Sequence, residues 1–255
     1  ICTANPWYVA CQDTICTYLP NCPPQWQTVT IHHLLTHTSG IANYTDFAIF
    51  AQIETSNLST DEIIGLFRDM PLNFPPGSAF SYGNSGYVLL GKIVEQVSGQ
   101  SYADFVQNRI FTPLGMADSG YDIGDMSALN GTRGYAGIGV PALALNTSTL
   151  HAAGALYASA EDLYRWDQAL YSDILLPATA RARFFSPALS DYAYGWKVVG
   201  RQGGRFIYHP GNISGASTFI ARYPDQQLTV IVLSNIEWVN AEGIANHLAQ
   251  VVLGN

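Results

Sequence analysis

Lysine is nearly missing from this sequence: Lys92 and Lys197 are the only two in 255 residues. With the arginines, 11 bases face 19 acids, a formal net charge of −8. A chain so short of cations has no basic stripe to track a phosphate backbone or hold an anionic membrane surface, which excludes nucleic acid as a partner class. Long apolar runs are missing too. The longest, such as "LTVIVL" at Leu228–Leu233, falls far short of the roughly 20 residues a membrane-spanning helix needs. Repeats, low-complexity tracts and long linkers are absent, which excludes solenoid and fibrous assemblies. What is present is an apolar-rich chain, 48% hydrophobic and only 12% charged, long enough to bury a full core as one large domain or two small ones.

All four cysteines, Cys2, Cys11, Cys16 and Cys22, fall near the start. No C-x-x-C spacing occurs, which argues against zinc and leaves either disulfides in an oxidising compartment or buried free thiols. N-x-S/T triplets at Asn43, Asn57, Asn130, Asn146 and Asn212 would permit glycosylation on a secretory route. The expected location is extracytoplasmic or secreted. The chain opens on Ile1 without a methionine or a signal-peptide pattern, so a segment upstream is expected to have been cut off, processed away or left out.

Periodicity divides the chain. Residues 12–185 read as a mostly helical region, and residues 186–255 as an antiparallel sheet with a C-terminal helix, the whole (1–255) forming a single α+β domain. "TIHHLLTHTSGI" reads as a short helix closed by Gly40, and "STDEIIGLFRDM" as a helix capped by Ser59 or Thr60. The stretch Ser85–Val97 sets Tyr87, Leu90, Val94 and Val97 on one face and stops at Gly99. A helix starting at Ser101 must stop before Pro113. Another starts at Ser159, with Asp162 at its third position. "YAYGWKVVG", "RFIYH", "STFIARY" and "LTVIVLSN" then read as four meandering strands. The last helix, Ala241–Leu253, carries Ile244, Leu248 and Val251 at helical spacing and is expected to cover one face of that sheet.

Two stretches could carry chemistry. "SYGNSGYVLLG", Ser81–Gly91, offers Tyr82 and Asn84: a phenol that can pass a proton once its pKa is lowered, and an amide that can hold a substrate amide. "IYHPGNISG" offers His209 at a strand end, Gly211 for close backbone approach and the Asn212 amide aimed at a developing oxyanion. Taken alone, each stretch reads better as structure, a helix cap or a turn. Ser39, Ser85 and Ser214 stand beside glycines but form no G-x-S-x-G elbow. His32, His33 and His37 cluster near one short helix without H-E-x-x-H or a third ligand in view, so a packed helix is the default there over zinc.

Taken in order, "VTIHHLLTHTSGI", "FSYGNSGYVLLGKIVEQVSGQSY", "IFTPLGMADS", "GALYASAEDLYRWDQAL", "YGWKV" and "YHPGNISGASTFIARYPDQQLTVIVLSN" resemble the serine β-lactamase and DD-peptidase family, the penicillin-recognising hydrolases and their esterase relatives. The likeness covers most of the chain from Asp13 onward. It implies a β-lactamase-like fold and an acyl-enzyme mechanism on β-lactams, D-amino-acid peptides or small esters, with no metal or organic cofactor. By the same resemblance Tyr82 is the proton-transfer group and Asn84 holds the acyl amide. His209 is then the electrostatic or proton-donating partner, and Gly211 and Asn212 serve the oxyanion.

One motif of that family is not here. Its nucleophile lies in S-x-x-K, where one helical turn puts serine and lysine on the same face. The residues three before Lys92 and Lys197 are Leu89 and Tyr194. The resemblance puts residues 1–10 in the tail of the nucleophile's helix and the serine, with the sheet's first strands, before Ile1, leaving the visible sheet with an unpaired edge and an uncovered face. The chain by itself is expected to be inactive, the possible partner being the missing N-terminal segment. The alternative is a non-catalytic binding module that keeps the cleft.

Overall fold

The computed structural model describes residues 9–122, 131–201 and 203–254. Cys16 is disulfide-bonded to Cys22, and Cys11 is also in a disulfide; Cys2 lies outside the described residues. The disulfide reading therefore displaces the free-thiol one.

Thr30 opens α1 (Ile31–Leu35) by accepting from the His33 N–H, while the His33 ring accepts in return from the Thr30 N–H. The helix ends well before the expected Gly40 stop, because His37 turns left-handed at φ 55. Gly40, at φ 74, lies so close to the Phe74 carbonyl that a Cβ would overlap it. After α2 (Phe50–Ile53) comes α3 (Thr60–Phe67), where Ser59 and Glu62 cap each other as the sequence predicts. Helix α4 (Asn84–Ser98) runs to Gly99, which closes it at φ 68. Val88, Leu89 and Ile93 are as buried as Leu90 and Val94, so this helix is enclosed rather than one-faced. Its neighbours include Trp26, Leu34, Tyr44 and Phe67, the centre of the larger core.

Ser101 caps α5 (Tyr102–Val106), but the helix does not stop before Pro113. A π-helical turn at Gln107–Phe111 carries it into α6 (Thr112–Leu114), and the wider turn avoids the clash a proline causes inside regular α-helix. Short strands β1 (Gly120–Tyr121), β2 (Tyr135–Gly137), β3 (Val140–Pro141) and β4 (Leu156–Tyr157) pair as β1 with β4 and β2 with β3. In α7 (Ala160–Ala169), Ser159 caps as predicted and Asp162 is fully buried, accepting from the Asp118 N–H and the Ser119 hydroxyl. Helix α8 (Ala178–Phe184) follows.

The four expected strands are β5 (Lys197–Arg201), β6 (Gly204–Ile213), β7 (Ala216–Tyr223) and β8 (Leu228–Ser234), antiparallel in that order. Among the described residues β8 pairs only with β7. The expected uncovered face does not occur. Phe206, Phe219 and Val230 pack on one side against α9 (Ala241–Leu253). On the other side Val198 and Ile207 pack with Leu170, Trp196, Trp166 and Phe184.

The helix α9 shows a different face from the one its large residues suggest. Ala241, Ala245 and Ala249 are buried on the sheet, while Ile244 and Leu248 are 45% exposed and Val251 68%. The sheet already supplies aromatic bulk through Phe206, Phe219, Tyr208 and Tyr223, so only small side chains let the helix approach.

Candidate active site

The loop that follows α1 runs beside the loop that precedes α4. The Ser81 N–H donates to the His37 carbonyl at 2.9 Å, and the Gly83 N–H to His37 Nδ1 at 3.3 Å. These bonds hold the Tyr82 backbone over the His37 ring. The two rings have centroids 4.3 Å apart, with Tyr82 48% exposed. Burial against this aromatic bed raises the Tyr82 pKa above the ordinary tyrosine value. The lowering that proton abstraction would require is not supplied here.

Asn84 begins α4. Its N–H donates to Asn43 Oδ1 at 2.9 Å, and its side-chain amide donates to Thr45 Oγ1 at 3.1 Å. The Asn43–Asp46 turn thus anchors Asn84, and Asn43 Nδ2 in turn reaches Thr45 and Asp46.

His209 lies in the middle of β6, not at a strand end, paired with Ile220 of β7. Its ring stands 6.2 Å from that of Tyr82, centroid to centroid. Strand β5 pairs with β6 only as far as Tyr208. From His209 to Ile213, β6 therefore has a described ladder partner only in β7, and its other side is an open edge beside Tyr82. Gly211 and Asn212 lie on that edge. The close approach Gly211 allows is to Thr218 across the ladder, whose hydroxyl would sit 2.4 Å from a Cβ at this position.

Two further residues stand in the cluster, His37, which the sequence reading left to a packed helix, and Tyr192, which it did not weigh. His37 Nε2 lies 3.2 Å from the Tyr192 hydroxyl, and that hydroxyl lies 3.0 Å from His209 Nε2. Burial lowers the His37 pKa to about 3, helped by the nearby charges of His209 and Lys197 and opposed by the bond from Gly83. Burial also lowers the His209 pKa, against the pull of the Pro210 carbonyl, and pushes the Tyr192 phenol up. The site is therefore neutral and rich in hydrogen bonds at pH 7. Its nearest cation is Lys197, whose Nζ lies 4.9 Å from the Phe80 ring centroid and donates to the Ser190 carbonyl.

Ser85, Ser39, Ser214 and His32 are held in hydrogen bonds of their own. Ser85 is buried, donating to the Ala42 carbonyl and accepting from the Tyr44 N–H. Ser39 accepts from the Ile41 N–H, and Ser214 donates to the Leu143 carbonyl. His32 bonds to the Tyr194 hydroxyl at 2.9 Å.

Residues 9–253 match the sequence profile of the Beta-lactamase family. This chain belongs to that family. It is 31% identical to penicillin-binding protein 4* of Bacillus subtilis, over 89% of this chain and 55% of that protein. It is also 26% identical to an unguisins hydrolase of Aspergillus campestris, over 83% of this chain and 43% of that protein. The chain thus spans about half the length of the relatives it matches. A penicillin-binding protein from Bacillus halodurans has a TM-score of 0.82 at 29% identity, covering 95% of this chain and 77% of that one. A D-amino acid amidase from Ochrobactrum anthropi shares the fold, with a TM-score of 0.77 at 22% identity, covering 95% and 75%.

The sequence reading singled out Tyr82, Asn84 and His209, left His37 to a packed helix and did not name Tyr192. A signal for His37 was available. "LLTHTSG" puts poor helix formers straight after a short apolar turn, which is where a left-handed break with an inward side chain can occur. Tyr192 gave none, since "DYAYGW" reads as the start of a strand.

Proposed function

We propose that this chain supplies the Y-x-N and H-x-G half of a serine acyl-transfer site for β-lactams, D-amino-acid peptides or small esters, working without metal or organic cofactor. The observation that carries this reading is the exposed Tyr82 ring standing 6.2 Å from His209 beside the open edge of β6. An extended acyl substrate laid along His209–Ile213 would find backbone groups to pair with, the Asn212 amide among them for the oxyanion, with Gly211 keeping that edge flat and Asn84 flanking the acyl amide.

Tyr82, with its raised pKa, stays a phenol at neutral pH and acts as a hydrogen-bond donor. It becomes a base only when a cation is brought beside it. The family's S-x-x-K lysine would do this, and no S-x-x-K occurs in the 255 residues. The serine–lysine half must therefore be joined to this chain for turnover, and the chain alone does not acylate. The disulfides support an extracytoplasmic location, and no helix among the described residues is long and apolar enough to cross a membrane.

A fluorescent penicillin with intact-mass analysis tests the reading. The chain alone should give no covalent adduct, and the chain joined to an S-x-x-K segment from a relative should give one on the added serine. An adduct on a serine of the 255 residues overturns the inactivity claim. If the joined protein binds penicillin reversibly but never acylates, the cleft is that of a non-catalytic binding module.

A further inference from the structure

We infer that His37 and Tyr192 are positioning residues, joining Gly83 of the Y-x-N turn to His209 by one directional hydrogen-bond chain that holds His209 as its Nδ1–H tautomer. The direction is fixed independently at both ends. At one end the Gly83 backbone N–H can only donate, so His37 Nδ1 accepts at 3.3 Å. The proton of the neutral His37 ring is then on Nε2, which donates to the Tyr192 oxygen at 3.2 Å. Tyr192 keeps its own proton free to donate to His209 Nε2 at 3.0 Å. His209 must then carry its proton on Nδ1, which faces the Pro210 carbonyl at 2.6 Å. At that other end a carbonyl can only accept. The reverse polarity would set a ring lone pair against the carbonyl oxygen there, and at Gly83 it would set two N–H groups against each other. Both ends therefore demand the same arrangement.

The backbone around the chain is shaped to deliver it. His37 is left-handed at φ 55, and Ser190 and Asp191, just before Tyr192, are left-handed at φ 55 and 57. Non-glycine residues hold such conformations only where their surroundings over-determine them. Tyr87, which stacks on His37, gives its own proton to the Leu35 carbonyl, and its oxygen is a second hydrogen-bond partner of the Tyr192 hydroxyl, beside His209 Nε2. The remaining groups facing the two imidazoles are Tyr82 and Lys197.

The consequence for the site rests on the function proposed above. His209 meets the cleft as a neutral ring with both nitrogens already bonded, so a developing oxyanion draws its donors from the open β6 edge and not from an imidazolium. A shift of the Y-x-N turn would be transmitted through His37 and Tyr192 to the hydrogen bond at His209 Nε2.

Long-range ¹H–¹⁵N correlation of the imidazoles in the ¹⁵N-labelled chain tests this without any turnover, so its outcome is independent of whether the acyl-transfer reading survives. The expected spectrum shows His37 as Nε2–H and His209 as Nδ1–H, the less common tautomer of free histidine. In Tyr192→Phe, with the fold checked by circular dichroism, the Gly83 N–H and the Pro210 carbonyl still hold both tautomers, but His209 Nε2 loses its donor and the His209 pKa should rise toward the ordinary histidine value. A wild-type His209 protonated on Nε2 overturns the inference, and this spectrum decides even if the variant does not fold. A folded Tyr192→Phe whose His209 titration is unchanged overturns it equally.

Discussion

Arg222 of β7 and Asp167 of α7 form an ion pair sealed from solvent, with side-chain exposures of 2% and 0%. The carboxylate also accepts from the Thr229 hydroxyl at 2.8 Å and the Gln168 amide at 3.0 Å. The guanidinium lies against Tyr171 and Phe185. This pair ties the helical layer to the face of the sheet opposite α9. Removing one partner leaves a buried charge uncompensated, so Asp167→Ala should cost about 3–5 kcal/mol. Urea unfolding at pH 7 would measure the loss. The double change Asp167→Leu with Arg222→Met should recover most of it, since an apolar pair of similar volume needs no desolvated charge.

The space beside Gly211 is filled by the Thr218 hydroxyl. A methyl at Gly211 would meet the Thr218 hydroxyl at 2.4 Å, so Gly211→Ala should destabilise by roughly 1–3 kcal/mol through overpacking. Adding Thr218→Ala removes the clash, and the double-mutant cycle in thermal unfolding should show a strong favourable coupling. Additive costs would mean that the glycine serves the open edge instead.

Much of this fold was legible because local signals agreed with tertiary ones. Ser59 and Ser159 announced their helices, Gly99 ended α4, and the alternating apolar residues of β6 to β8 marked a meander. The failures have physical causes. Pro113 was read as a stop because a π turn leaves no trace in composition. The covered second face of the sheet went unseen because Trp166 and Phe184 come from helices distant in sequence. At the site, Tyr82 and His209 were visible through family likeness, whereas Tyr192 joins them by tertiary placement alone.

Acid should destabilise this protein through His37. Its folded pKa of about 3 lies below the ordinary 6.5, so the unfolded chain binds a proton that the folded one refuses. The full contribution is present above pH 6.5 and is lost as pH falls toward 3. Within that window one such histidine lowers stability by about 1.4 kcal/mol per pH unit. Groups facing it are His209, Lys197, Tyr82, Tyr87 and Tyr192. Burial likewise lowers the pKa values of His32, His33, His151 and His209, which steepen the total. His37→Phe should flatten the stability-versus-pH slope between pH 6 and 4 by close to one proton. An unchanged slope would show that His37 is protonated in the folded state.

The orientation of α9 gives the sharpest contrast between a pattern read from residue size and the packing observed. Ile244, Leu248 and Val251 look like a buried stripe, yet Ala245 is the fully buried position and packs on the layer of Phe206 and Phe219. Ala245→Leu should therefore force helix and sheet apart at a cost of about 1–3 kcal/mol. In a chain of this size each kcal/mol lowers the Tm by roughly 2–4 °C. Ile244→Glu should stay within about 0.5 kcal/mol of the parent, as surface changes usually do. Were the large residues the ones facing the sheet, the order would invert, because Ile244→Glu would bury a carboxylate while the side chain added by Ala245→Leu pointed into solvent. Thermal melts of the two variants side by side separate these cases by the sign of the difference alone.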